Sequence, residues 1–283
     1  MSVLATQVEE PTKWGTATEV TADRYSRTNT MQRGYGHALT EMMNISKGQH
    51  VLVAACGPGS DVLDIAQIVG PTGKVVGFDL DKYSIKRARE ALEEHPELKP
   101  YVELHVADVH DLSMFAGQKF DAIHCNMSYH WFSDKPLFLA QAATLAKPGT
   151  AIGLATQDGA FHLPIQDVRD DVLAELGEPI DNFIWPSTLS EMQRDLSAAG
   201  FGDVKVSRGF GTRALENVDA LWNWCNDSTG NRFGYHLQGE KGERMKEMVM
   251  ERFRGLALED GRAILQFKHL STCLLYTSPS PRD

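Results

Sequence analysis

The stretch Val51-Leu-Val-Ala-Ala-Cys-Gly-Pro-Gly-Ser-Asp61 joins a short apolar run to a turn of small residues. The run suits a buried strand, and the apolar residues that follow recur at helical spacing. A strand, a glycine turn and a helix in this order allow a ligand to approach the backbone, because glycine has no Cβ and the first turn of a helix has free N–H groups. By itself the stretch predicts either a ligand-binding turn or tight packing in an α/β protein.

Strands and helices alternate around this stretch. Strands are predicted at residues 50–55, 74–78, 101–106, 120–126 and 150–156, and helices at 32–46, 61–69, 83–93 and 136–145. This alternation predicts an α/β fold with a doubly wound, Rossmann-like parallel sheet and helices on both faces. Residues 1–30 show no sustained period and are predicted to form a flexible N-terminal arm.

After residue 156 the alternation ends. Helices are predicted at residues 165–176, 188–199 (capped by Ser187), 218–225 and 240–256, and strands at 203–207 and 262–270. Two insertions, about residues 157–186 and 211–260, are therefore expected to form a helical cap over the site. The aromatic residues of the cap are expected to line a cavity, and they are Trp185, Trp222, Trp224, Phe233 and Tyr235. The alternative is that Trp222 and Trp224, with Leu221, form only the core of the cap. His162 and Tyr235 or His236 are candidates for a lid.

The formal net charge of −10 argues against nucleic acid or an anionic membrane as the partner, because both favour a basic surface. No apolar run approaches the ~20 residues of a membrane-spanning helix, and the first ten residues lack a secretory pattern. The four cysteines, Cys56, Cys125, Cys225 and Cys273, show no metal-ligand spacing. We expect no metal site, and reduced thiols in a cytoplasmic protein.

The end of the chain, Cys273-Leu-Leu-Tyr-Thr-Ser-Pro-Ser-Pro-Arg-Asp283, resembles the in-frame translation of a sequencing adapter. We expect the natural sequence to end near Thr272, the alternative being an ordinary tail rich in Ser and Pro. The functional domain is then residues 31–272, with its core at 36–156.

Acidic residues follow two of the predicted strands. Asp79 comes 20 residues after Gly59, and a carboxylate there can accept both hydroxyls of a ribose. Asp108 follows the third strand and can accept an adenine amino group, with the N–H of Val109 beside it. Asp81 is expected to cap the next helix. A dinucleotide fingerprint would need a small residue where this chain has Val62.

Five stretches in order resemble the class I S-adenosylmethionine-dependent methyltransferases, in the broad group that includes ubiquinone- and biotin-pathway methylases. They are residues 51–61, 75–81, 106–112, 120–131 and 145–150. The resemblance implies a seven-stranded sheet with its last strand antiparallel. The chain departs from the family at Val53, where an acid is usual, and at Ala55, where glycine is usual.

The resemblance also implies S-adenosyl-L-methionine as cofactor. The implied contacts are Ala55, Cys56, Gly57 and Gly59 with the methionine part, Asp79 and Leu80 with the ribose, Asp108 and Val109 with the adenine, and Asn126 near the sulfonium. The implied reaction is an in-line displacement, in which a general base helps only if the nucleophile must lose a proton. His130 and Tyr129 are the candidates for that base, and packing is the alternative role of His130.

The expected acceptor is a small organic molecule, because the chain is acidic and the site is enclosed by a cap. Oxygen is the first choice for the methylated atom and carbon the second. A cofactor-binding protein that has lost catalysis is the alternative in another class, suggested by Val53 and Ala55.

Overall fold

The computed structural model describes residues 18–160, 164–180, 184–234 and 237–276. Its strands are β1 (His50–Ala54), β2 (Lys74–Asp79), β3 (Val102–Val106), β4 (Phe120–Asn126), β5 (Ala146–Gln157), β6 (Phe201–Leu215) and β7 (Ala263–Tyr276). Its α-helices are α1 (Glu19–Thr28), α2 (Thr30–Met42), α3 (Ser60–Val69), α4 (Lys82–Glu93), α5 (Lys135–Leu145), α6 (Pro164–Glu175), α7 (Leu189–Ala198), α8 (Val218–Ser228) and α9 (Gly239–Leu256).

The strands form one seven-stranded sheet in the order β3-β2-β1-β4-β5-β7-β6. The first five strands in this order run parallel to one another, and β7 runs antiparallel to both β5 and β6. A central parallel strand is covered on both faces, which explains why the last four residues of β1 are all apolar and buried. The predicted doubly wound sheet with an antiparallel last strand is confirmed.

Helices cover both faces of the sheet with apolar side chains. On one face α2, α3 and α4 contribute Leu39, Ile65 and Ile85 to a continuous buried cluster. On the other face α5 and α7 contribute Phe138 and Leu196 to a second cluster. The first cluster continues beyond the sheet into α6, α8 and α9, which pack on one another as a helical cap.

The last two strands are longer than predicted. β6 was expected at residues 203–207 but extends to Leu215, so the second insertion begins after this residue and not at 211. Gly209 and Gly211 lie inside the strand, where neighbouring rings come close. A Cβ on Gly209 would lie 2.2 Å from the His269 ring, and one on Gly211 would lie 2.5 Å from the Tyr35 hydroxyl oxygen. Such glycines mark close approach within a sheet.

The predicted N-terminal cap of helix α7 is wrong by one residue. Its cap is Thr188 and not Ser187, because the Thr188 hydroxyl accepts a hydrogen bond from the Glu191 N–H and the Glu191 carboxylate accepts one from the Thr188 N–H. The expected cap of α4 is confirmed, since the Asp81 carboxylate accepts from the N–H groups of Tyr83 and Ser84.

The described part of the predicted N-terminal arm is helical. Helix α1 begins with a capping box between Thr18 and Thr21 and packs against α4 and α8. Arg24 pairs with Asp227 of α8 at 2.7 Å, and Glu19 pairs with Lys86 of α4. These partners are distant in sequence, so local periodicity did not reveal the helix. Among the helices of the described segments, none has the length and apolar character to cross a bilayer.

Strand β7 continues past residue 272, and Cys273 pairs with Gly153 of β5 and Lys205 of β6. The assignment of residues 273–283 to a sequencing adapter stays a prediction, and residues 277–283 lie outside the described segments.

Candidate cofactor and acceptor site

A cavity of about 1740 Å³ lies where β1, β2, β3 and β4 end. This is the edge at which open α/β sheets bind ligands, because the loops there diverge from a common crevice. A single small ligand usually occupies roughly 300–1,000 Å³. The cavity therefore has room for a cofactor and an acceptor together.

The two glycines of the turn after β1, Gly57 and Gly59, have different surroundings. Gly57 lines the cavity at φ 54°, and a Cβ there would have no atom within 4 Å. Gly59 has φ 88°, and a Cβ there would lie 2.7 Å from the Cβ of Ala88 on α4. The sequence assigned both glycines to the cofactor, but in the structure Gly59 packs the turn against α4 and only Gly57 faces the cavity.

Ala55 and Cys56 also line the cavity, at the end of β1. Ala55 has φ 50°, a left-handed conformation that costs a residue with a Cβ roughly 1–2 kcal/mol. Its carbonyl accepts a hydrogen bond from the Ser128 hydroxyl at 3.3 Å, and the next N–H, of Cys56, donates to Phe78 at 2.9 Å. Ala55 thus adopts a left-handed backbone conformation that glycine would adopt at lower cost.

Asp79 links the ends of β1 and β2. One of its carboxylate oxygens accepts from the Gly57 N–H at 2.8 Å and the other from the Asp81 N–H at 2.8 Å. Burial raises the pKa of the Asp79 carboxyl to about 6, opposed by these backbone hydrogen bonds. Leu80 follows on the cavity wall. The ribose-binding candidate is thereby fixed beside Gly57, the glycine of this turn that faces the cavity.

Asp108 and Val109 line the cavity at the end of β3. Asp108 accepts from both the backbone N–H and the ring Nδ1 of His110, at 2.9 and 2.8 Å. The other ring nitrogen of His110 accepts from the N–H of Asp134 at 3.3 Å. The carboxylate is therefore held in place by its own loop.

Asn126, at the end of β4, belongs to a polar group that the sequence did not reveal. Its side-chain Nδ2 donates to a carboxylate oxygen of Asp61 at 2.9 Å and to the Gln32 carbonyl at 2.8 Å. The Asn126 and Gln32 side-chain oxygens are buried and have no hydrogen-bond partner among the described residues. Burial raises the pKa of Asp61. Three acceptor groups thus meet at one wall of the cavity, which suits a ligand that donates hydrogen bonds.

The two candidate bases are placed differently. Tyr129 is fully buried between Phe132 and Phe138, its hydroxyl has no hydrogen-bond partner among the described residues, and it does not line the cavity. Burial raises its phenol pKa above the ordinary value. Tyr129 is therefore a core residue, and its prediction as a base is corrected.

His130 does line the cavity. Its ring Nδ1 lies 3.2 Å from the Thr156 hydroxyl and 3.4 Å from the Gln157 backbone nitrogen. Burial, together with the nearby charge of Lys135, lowers the pKa of His130 to about 3. The imidazole is therefore neutral at physiological pH.

The part of the cavity under the cap combines apolar and polar side chains, and its apolar surface is largely aromatic. It is lined by Ile165 of α6, Trp224 of α8, Phe233 and Phe267, next to the Arg24–Asp227 ion pair. Trp222 belongs to the core of the cap, and Trp185 is 36% exposed. Trp224 and Phe233 thus line the cavity, as the first alternative predicted, whereas Trp222 belongs to the core, as the second predicted. His162, Tyr235 and His236 lie outside the described residues.

Much of this chain is similar to known methyltransferases. Residues 45–191 match the family model described as a methyltransferase domain. Nocamycin O-methyltransferase of Saccharothrix syringae is 32% identical over 43% of this chain and 42% of its own length. O-methyltransferase resE of Aspergillus sclerotiorum is 26% identical over 78% of this chain and 75% of its own length.

The fold has solved counterparts. A putative methyltransferase from Bacillus halodurans superposes with a TM-score of 0.58 at 18% identity, over 86% of this chain and 99% of its own. The chain spans less than half the length of several curated relatives, 35% in the case of a protein from a Streptomyces fradiae transposon. The family match covers more than half of the chain and includes the turn after β1, Asp79, Asp108 and Asn126. The chain therefore belongs to the family of class I S-adenosylmethionine-dependent methyltransferases.

Proposed function

We propose that this protein binds S-adenosyl-L-methionine at the ends of β1 to β4 and transfers its methyl group to an oxygen of a small organic acceptor. The observation that carries the proposal is the junction of Gly57 and Asp79, in which a carboxylate and an open glycine backbone face one cavity. The cofactor supplies an activated methyl group, and the protein supplies alignment and exclusion of water.

The described residues fit this cofactor part by part. Asp79 would accept hydrogen bonds from the ribose hydroxyls beside Leu80, and Asp108 would accept one from the adenine amino group beside Val109. Ala55, Cys56 and Gly57 would follow the methionine part, with Asn126 near the sulfonium. The buried acceptor group of Asp61, Asn126 and Gln32 suits the methionine ammonium, which needs acceptors. This group includes the Asp61 carboxylate, which lies near β1, the strand in which Val53 stands where the family usually has an acid.

The acceptor end suits a small molecule with an apolar body. Trp224, Phe233 and Phe267 provide aromatic surface, and the cap covers it. Two relatives are O-methyltransferases by name, which is the support for oxygen as the methylated atom. A relative from Thermoplasma volcanium is by name a probable C(15)-methyltransferase, so carbon stays the second choice. The left-handed Ala55 and the loss of an acid at Val53 are the observations that favour the second candidate, a protein that binds the cofactor without turnover.

Calorimetry with Asp79→Asn tests cofactor binding. This variant keeps the size of the side chain but loses its charge and half of its acceptor capacity, so we expect cofactor binding to weaken by about 1–3 kcal/mol. Asp121→Asn is the matched control, because Asp121 also accepts a backbone N–H, from His50 at 2.8 Å, but lies at the opposite edge of the sheet. Equal affinities of the Asp79 variant and the parent would contradict the ribose assignment.

Turnover separates the enzyme from a protein that only binds. We expect methyl transfer to one or more members of a panel of carboxylic and phenolic acceptors, with mass spectrometry locating the new methyl group on oxygen. A methyl group on carbon would support the second choice of atom. Tight cofactor binding without turnover on any panel that includes carbon acceptors would support the binding protein.

A further inference from the structure

The hydrogen bonds of His130 define where its proton lies. Gln157 donates its backbone N–H to the ring Nδ1 of His130, with a nitrogen to nitrogen distance of 3.4 Å. A backbone N–H can only donate, so Nδ1 must be the unprotonated nitrogen. The Thr156 hydroxyl, 3.2 Å away, can donate to the same atom. In a neutral imidazole the proton then belongs to Nε2.

The ring stays neutral in this environment. His130 is 7% exposed, and burial together with the charge of Lys135 on α5 disfavours a second proton. Lys135 is itself balanced by Asp195 and Glu191 of α7. Nε2 makes no hydrogen bond to any described residue, and the side chain lines the cavity. His130 is thus a neutral donor that cannot take a proton at Nε2, because one is already there.

Most other ionisable side chains on the described cavity wall have partners. Tyr25 is an exception, but burial raises the pKa of its phenol, so it keeps its proton and is a poor base. Asp227 is paired with Arg24, and His110 with Asp108. The Asp79 carboxylate accepts hydrogen bonds from two backbone N–H groups, and the Asp61 carboxylate accepts one from the Asn126 side chain. An acceptor that arrives without a proton on its reactive oxygen fits this wall better than an alcohol, which would need a base.

We propose that His130 holds the acceptor by donating from Nε2 to an anionic oxygen group, a carboxylate or an enolate, and that the reaction uses no side-chain base. The inference rests on the proposed methyl transfer. The anionic oxygen forms a C–O bond with the methyl carbon while the S–CH₃ bond breaks, and the bonding electron pair stays on sulfur. The products are a methyl ester or enol ether and a neutral thioether, and no proton moves.

The first test reads the proton directly, without turnover. In the ¹⁵N-histidine NMR spectrum of the whole protein, assigned by comparison with His130→Gln, we expect one neutral ring with its proton on Nε2 from about pH 5 to 9. A ring protonated on Nδ1, or one that becomes imidazolium in this range, would overturn the proposal. This result does not depend on cofactor binding, so it fails separately from the proposed function.

The second test measures acceptor recognition. Benzoate and the enolate of a 1,3-diketone such as dimedone are titrated into the protein loaded with S-adenosylhomocysteine, with benzyl alcohol as the neutral control. We expect the anions to bind more tightly than the alcohol, and His130→Ala to weaken anion binding by about tenfold to a hundredfold. His130→Gln keeps a donor near Nε2, so it should bind within about fivefold of the parent.

The two anions distinguish the sources of the anionic oxygen. Tighter binding of benzoate indicates a carboxylate acceptor, and tighter binding of dimedone an enolate. Preference for benzyl alcohol, or an unchanged affinity in His130→Ala, would overturn the proposal. Loading with S-adenosylhomocysteine is checked first by calorimetry, so a failure to bind cofactor is recognised as a failure of the proposed function.

Discussion

Gly57 and Gly59 occupy one turn and share a left-handed backbone, yet they differ in what surrounds them. Gly57 faces the open cavity, whereas a methyl group on Gly59 would overlap Ala88 of α4. The spacing of the two glycines predicted a ligand turn but could not assign these roles. Their neighbours come from α4 and from the cavity, which are defined only by the folded chain.

Alanine at each position should separate stability from binding. Gly59→Ala adds a clash to an unfavourable φ and should lower the free energy of unfolding by about 2–5 kcal/mol. Gly57→Ala should cost only about 1–2 kcal/mol of backbone strain but place a methyl group in the cofactor path. Urea unfolding and cofactor calorimetry on both variants check this, and a Gly57→Ala protein with the parent's cofactor affinity would contradict the assignment.

Asp79 should make cofactor affinity depend on pH. Its pKa is raised to about 6, so it loses its charge as the pH falls through that value and becomes a poorer acceptor for ribose. We expect cofactor affinity to fall by about tenfold per pH unit below 6. Calorimetry from about pH 5 to 8 measures this, and Asp79→Asn should remove this step. If the variant keeps the same pH dependence, another group is responsible.

The raised pKa of Asp79 also makes the free energy of unfolding depend on pH, but in the opposite direction to cofactor affinity. The folded protein holds the Asp79 proton more tightly than the unfolded chain, whose Asp has a pKa of about 3.9. The resulting stabilisation is fully present below about pH 4 and is lost as the pH rises to the folded value of about 6.

Tyr129 should be dispensable for chemistry. Its hydroxyl is buried without a hydrogen-bond partner among the described residues, so Tyr129→Phe removes an unsatisfied polar group and keeps the ring packed. We expect unchanged turnover and a free energy of unfolding equal to or above that of the parent, measured by urea unfolding. A loss of turnover by tenfold or more, with stability intact, would restore Tyr129 as a catalytic candidate.

The cofactor contacts of Asp79 and Asp108 stay predictions. Sequence position placed both acids at the cavity, because parallel strands end at one edge and the acids follow those ends. It missed the acceptor group of Asp61 and Gln32 for a physical reason. Asn126 donates to both the Asp61 carboxylate and the Gln32 carbonyl only once α2 has packed beside α3 and β4. The residues belong to three elements, and their spacing in the chain does not indicate their contact.

At the scale of elements, the five parallel strands and the helices between them could be predicted because each buries a regular apolar pattern. The exceptions were stabilised by remote partners. β6 contains glycines that fit beside the rings of Tyr35 and His269. Helix α1 is polar along most of its length and is fixed by ion pairs with α4 and α8.

Helix α1 should depend on Arg24 for its position over the cavity. The Asp227 side chain is only 4% exposed, so Arg24→Ala leaves a buried carboxylate without this partner. We expect the backbone amides of α1 to exchange about fivefold faster with solvent, the equivalent of about 1 kcal/mol. We also expect the affinity for the cofactor to fall. Arg27→Ala is the control, because Arg27 is 70% exposed and pairs within α1. Equal exchange in both variants would show that the pair does not hold the helix.

At the scale of the whole molecule, the sheet, the cap and α1 enclose one cavity with two chemically different ends. The end near β1 to β4 carries carboxylates and acceptors without a partner among the described residues, and the end under the cap carries aromatic surface. The donor His130 follows β4 and lies beside the end of β5. A polar, positively charged cofactor and an apolar, anionic acceptor would each match one end. Catalysis then depends on the distance between them more than on acid–base groups.

The most direct test is a crystal structure of the protein with S-adenosylhomocysteine. We expect the nucleoside at the ends of β2 and β3, with both ribose hydroxyls within hydrogen-bond distance of Asp79. We also expect the ammonium group at Asp61 and Asn126, and open space between the sulfur and His130. A ligand bound elsewhere, or bound in this cavity with its ribose away from Asp79, would contradict this expectation.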